Sequence, residues 1–112
     1  SLYDFHKEVK QNSGYVLGCP FGNIGCEMST QDEALRSKVN EILSAAEAPF
    51  ATALDEAVVN GELPAIDTAA AARALFAYTE GIVLYAKTRN DPELIRDLGK
   101  RALQLLLPAD LK

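Results

Sequence analysis

With a single histidine, His6, and two cysteines, Cys19 and Cys26, the 112-residue sequence is short of the residues that most metal sites and nucleophilic catalysts need. No His/Cys/carboxylate cluster has metal-ligand spacing, and no glycine-rich loop follows a strand to cradle a phosphate. No catalytic residue, cofactor or metal is therefore expected. No apolar run approaches the roughly 20 residues of a membrane span, so no membrane partner is expected. No basic-then-apolar leader opens the chain, so no signal peptide is expected either. Dense Lys/Arg patches are also missing: the net charge is −5, and the acid is concentrated between residues 30 and 64. The chain as it stands should not hold nucleic acid by itself. Strand-like alternation is absent as well, which leaves an all-α fold.

What remains is 48% apolar, enough for a core in one domain covering residues 1–112. Cys19 and Cys26 stand seven residues apart. On one helix that is about 10.5 Å of rise, beyond the Cα separation of about 7 Å that a disulfide bridges. Two unpaired thiols point to a cytoplasmic location and are expected to pack as small buried hydrophobes, with a redox pair as the alternative. The chain opens at Ser1 without an initiator Met and reads as a fragment or a processed chain.

Five helices follow from the periodicity. Leu2, Phe5 and Val9 form the stripe of a first helix that ends at Asn12-Ser13-Gly14, with His6 on its polar side facing solvent. Pro20 opens a short second helix in which Phe21, Ile24 and Met28 share a face. Gly22 and Gly25 are poor helix formers, and two in so short a helix imply that something packs closely against its backbone. Thr30 and Glu33 match a capping box for a long third helix with a stripe through Leu35, Val39, Ile42, Ala46, Phe50, Ala53 and Ala57. Pro49 should kink it, and Asn60-Gly61 should stop it.

Asp67 or Thr68 caps a fourth helix, Ala69 to about Thr88. Its charges, Arg73, Glu80 and Lys87, recur every seven residues and stack on one narrow edge. Glu80 reads as a solvated edge residue, with a carboxylate in apolar surroundings as the alternative. Ala74, Ala77 and Gly81 make a small-residue strip for close helix approach. A helix apolar over most of its surface is covered on more than one side, by a central position or by a partner. Asp91-Pro92 opens a fifth helix striped by Leu94, Leu98, Ala102 and Leu105 and widened by Ile95, Leu103, Leu106 and Leu107. Asp97 and Arg101 are placed to pair, and Pro108 ends the helix.

The run Gly18-Cys19-Pro20-Phe21-Gly22-Asn23-Ile24-Gly25-Cys26-Glu27 resembles the G-C-x-x-G-N-x-x-x-E segment of TetR-family regulator C-terminal domains. In order, Asp32-Glu33-Ala34-Leu35-Arg36, Asn60-Gly61-Glu62-Leu63, Asp67 through Glu80-Gly81, and Asp91-Pro92 with the Leu-rich tail resemble its later segments, over roughly residues 14–107. The resemblance implies a homodimer whose regulatory domain binds a small, often apolar, effector. It also implies an N-terminal helix-turn-helix head that holds operator DNA until the effector binds. No such head is found in residues 1–112, so DNA would be reached only through a missing N-terminal domain. The last two helices, Ala69–Thr88 and Pro92–Leu107, would form the dimer's four-helix interface through Tyr78, Ile82, Tyr85, Leu94, Leu98, Ala102 and Leu105. An effector pocket is expected among Phe21, Ile24, Met28, Phe50, Leu54, Phe76, Thr79 and Val83, where the Pro49 kink would bow helices apart. Two other functions stay open: a helical dimerisation module without effector, and a small cysteine-based redox protein using Cys19 and Cys26.

Overall fold

A computed structural model describes residues 1–106. The expected role of Leu107 and the stop at Pro108 lie outside the described residues, as do the side chains of Leu103 and Leu106. Five helices succeed one another: α1 (Leu2–Ser13), α2 (Pro20–Met28), α3 (Glu33–Val59), α4 (Thr68–Arg89) and α5 (Glu93–Leu106). No strand occurs among the described residues. α3 packs on α2 and on α4, α4 packs on α5, and α1 lies against α5. The body measures 41 × 34 × 19 Å, with a radius of gyration of 15.6 Å. A compact chain of this length has about 13 Å. The molecule is therefore a flat slab about two helices thick, and among the described residues no large side chain is wholly sealed from solvent.

Local chemistry sets the helix ends. Asp67 caps α4 by accepting the Ala70 N–H at 3.0 Å. Past the end of α3, Gly61 takes a left-handed φ of 75°, and the Glu62 N–H then donates back to the Ala57 carbonyl at 2.8 Å. α3 runs unbroken through Pro49. The capping box at Thr30 and Glu33 does not form. Asp32 caps α3 instead, accepting the Leu35 N–H at 3.0 Å, because the helix starts at Glu33 and Thr30 sits too far upstream. The expected Asp97–Arg101 pair is replaced by Arg96, which bonds Glu93 at 2.7 Å and reaches Asp97 at 3.8 Å.

α1 is turned by about one residue from its expected orientation. Leu2 and Phe5 are exposed, at 43% and 59%, whereas Tyr3, His6 and Lys10 face the body. His6, expected in solvent, is only 4% exposed. Specific partners outweigh the apolar stripe here. Tyr3 packs against the core of Val16, Ala86 and Ile95, and its hydroxyl donates to Glu93. Lys10 donates its Nζ to the Asn90 carbonyl at 2.6 Å.

Asn90 ties these elements together. It ends α4 in the left-handed conformation, φ 52° and ψ 42°, which asparagine tolerates better than most side chains. Its Oδ1 accepts the Val16 N–H at 2.8 Å, and its Nδ2 donates to the Gly14 carbonyl at 3.0 Å. One side chain thus satisfies the backbone of the α1–α2 connection and fixes it on the α4–α5 corner.

Candidate functional site

The other end of the slab is open. Between α2, α3 and α4 lies a cavity of about 480 Å³ with a mainly apolar wall. α2 contributes Gly22, Asn23, Gly25 and Cys26, flanked by its caps Cys19 and Ser29. α3 contributes Arg36, Val39, Asn40 and Leu43, and α4 contributes Glu80, Gly81, Val83 and Leu84.

Small residues make this space. On α2, Gly22, Gly25, Cys26 and Ser29 fall at helical spacing on one side, so a strip without bulk faces the cavity. The close approach expected at the two glycines is present. A Cβ on Gly22 would come within 2.7 Å of Glu80 Oε2, and one on Gly25 within 3.4 Å of Val39 Cγ1. No side chain of the described residues comes within 4 Å of a Cβ built on Gly81. Asn23 is fixed by donating its Nδ2 to the Leu17 carbonyl at 3.1 Å, and Cys19 Sγ accepts the Gly22 N–H at 3.4 Å.

Two charges reach the wall. Arg36 is already paired: its Nε and Nη2 both bond the Glu33 carboxylate, which holds that carboxyl below its ordinary range. Glu80 is half-buried and has no hydrogen-bond or ion-pair partner among the described residues. It is not the plain solvated edge residue that its alignment with Arg73 and Lys87 implied. Both thiols are free, and Cys26 is exposed on the wall, not buried as expected. Among the described residues no group of His, Cys, Asp and Glu is arranged to hold a metal ion. The chemistry on offer is enclosure of a small molecule, with polar contacts at a few points.

Of the residues expected to line a pocket, Val83 does so. Phe21 and Ile24 are 41% and 40% exposed, and Met28 is half-buried, all off the cavity wall. Phe50 and Phe76 pack edge to face, with ring centroids 5.8 Å apart, between α3 and α4. Leu54 is half-buried farther along α3, and Thr79 turns its hydroxyl to the Leu75 carbonyl at 2.8 Å. The bulky face of α2 fills space, whereas the missing bulk beside it leaves room. The two glycines were the available signal.

The seven residues expected at a dimer face divide. Tyr78, Tyr85 and Leu105 are exposed at 43%, 43% and 69%. Ile82 and Leu94 pack against the core of this chain, Leu98 is half-buried and Ala102 is buried. No helix of the described residues is long and apolar enough to cross a membrane.

The family model described as "Tetracyclin repressor-like, C-terminal domain" matches residues 1–101. No curated protein and no solved structure matches the chain.

Proposed function

This chain belongs to the tetracyclin repressor-like C-terminal domain family, a family of regulatory domains and not of enzymes, and from that premise we propose that it is the effector-binding and dimerisation domain of a transcriptional repressor. Residues 1–112 form the single regulatory domain. Operator DNA is held by a separate N-terminal head and is released when a small, largely apolar molecule occupies the cavity between α2, α3 and α4. The cavity itself carries this reading: its volume of about 480 Å³ suits a small molecule, and its wall is mainly apolar with a few polar groups.

α4 couples the two halves of the function. Glu80, Gly81, Val83 and Leu84 face the cavity, while Tyr78 and Tyr85 project from the same helix into solvent. A ligand that displaces α4 therefore moves the surface offered to a second copy. The thinness of the slab and the exposed Tyr78, Tyr85 and Leu105 favour a homodimer built on α4 and α5.

Two measurements test the proposal. Light scattering over a dilution series is expected to give twice the chain mass, and a monomer at all concentrations removes the dimer. Thermal melts against a library of apolar small molecules are expected to find stabilising compounds, since a ligand at 100 times its Kd adds about 2.7 kcal/mol. A dimer that no compound stabilises points instead to a dimerisation module without effector.

A further inference from the structure

We propose that the effector is an amphiphilic cation, an apolar body bearing a protonated amine or similar group that pairs with Glu80. The inference rests on the reading of the cavity as the effector site. Three observations carry it. The wall is mainly apolar, with Val39, Leu43, Val83 and Leu84 as its larger aliphatic members. Of the two charged residues on the wall, Arg36 is neutralised by Glu33, and Glu80 alone has no partner among the described residues. The missing side chain at Gly22 also leaves room for the Glu80 carboxylate on the wall, its Oε2 2.7 Å from where a Cβ would stand.

The cations on either side of Glu80 along α4 leave it free. Arg73 and Lys87 stand seven residues before and after it, about 10.5 Å along the axis. The Lys87 stem lies against Gly18, its Cδ 3.1 Å from where a Cβ would stand. A carboxylate in surroundings drier than bulk water attracts a cation more strongly than one in open solvent, and it disfavours an anion on the same body. The apolar wall supplies affinity, and Glu80 selects the head group.

Three ligands with one body and different heads test this: n-octylamine, n-octanol and n-octanoate, each below its aggregation limit, titrated calorimetrically into the chain at pH 7. Octylamine is expected to bind about tenfold more tightly than octanol, which corresponds to about 1.4 kcal/mol, with octanoate weakest. Glu80→Gln should bring octylamine to the level of octanol while octanol binding holds. Unchanged circular dichroism would verify the fold of the variant. Equal binding of octylamine and octanol to the unmodified chain overturns the proposal, as does an amine preference that survives Glu80→Gln. Failure of all three ligands to bind also rejects the cationic class. The effector-site reading then stands or falls separately, on the apolar library.

Discussion

Asn90, at the C-terminal end of α4, joins Val16, Gly14 and Lys10 through its side chain and carbonyl, whereas Glu80, ten residues earlier, has no hydrogen-bond or ion-pair partner among the described residues. Around Asn90 the packing is close: Ala86 is fully buried, and Val16 and Ile95 are 2% and 5% exposed. Around Glu80 the helices stand apart over a cavity whose α2 wall is mostly glycine and small polar residues. One helix thus spans a knitted end and an open end. Stability resides where backbone groups are satisfied and small apolar residues interlock. Room for a ligand resides where bulk is missing, and a structure can leave that room open because the other end holds it together.

The largest expected effect falls at the knitted end. Asn90→Ala strips the buried Val16 N–H of its acceptor, a loss of about 1–3 kcal/mol, and puts a Cβ residue without a local hydrogen bond into the left-handed region, about 1 kcal/mol more. Urea unfolding is expected to show a loss of roughly 2–4 kcal/mol. Asn90→Gly relieves the backbone part alone and should recover only that share. Full recovery by glycine would break the comparison, since the side-chain bridge would then contribute nothing.

Packing gives the next contrast. Ala86→Leu forces three extra carbons into a site with no exposed surface and is expected to destabilise the chain by about 1–3 kcal/mol. Leu84→Ala, two residues away on the cavity rim and 53% exposed in the present chain, should change stability by less than about 1 kcal/mol. Equal melting temperatures for the two variants would mean that the cavity is closed in solution and packed like the rest.

What the sequence made legible was local. Asp67, Asn60-Gly61 and Asp91-Pro92 marked helix ends because capping depends on neighbours within a few residues. Gly22 and Gly25 signalled a close approach, and Glu80 and Val39 supply it. Nothing within a few residues of Asn90 signals its role, because its partners lie 74, 76 and 80 residues away. The orientation of α1 is likewise set by residues distant in sequence. Its stripe of Leu2, Phe5 and Val9 is a sound amphipathic pattern, but Tyr3 and Lys10 have distant partners that turn the helix. The pocket expected among the bulky residues of α2, α4 and the Pro49 region shares only Val83 with the cavity, which lies beside the first turns of α3, where Arg36, Val39 and Asn40 stand. Periodicity identifies which residues can be buried together, and it is silent on which buried side is left unfilled.

The smallest expected effect sharpens the description of the knitted end. His6 is buried on α1, with no partner for its Nδ1 among the described residues, and burial pushes its pKa below the ordinary value of 6.5. Its folded form therefore resists the proton that the unfolded chain accepts. Above pH 6.5 both states are neutral at this residue and stability is at its full value. As the pH falls below 6.5 the unfolded state gains the proton first, and stability declines until the folded pKa is reached. Urea midpoints at pH 7.5 and pH 5.5 should fall for the unmodified chain and fall less for His6→Leu, which carries no titrating group at that position. The difference between the two falls isolates His6, because background titration is common to both. Equal falls would place His6 in solvent and detach α1 from the body, so that the knitted end would reduce to the Asn90 corner alone.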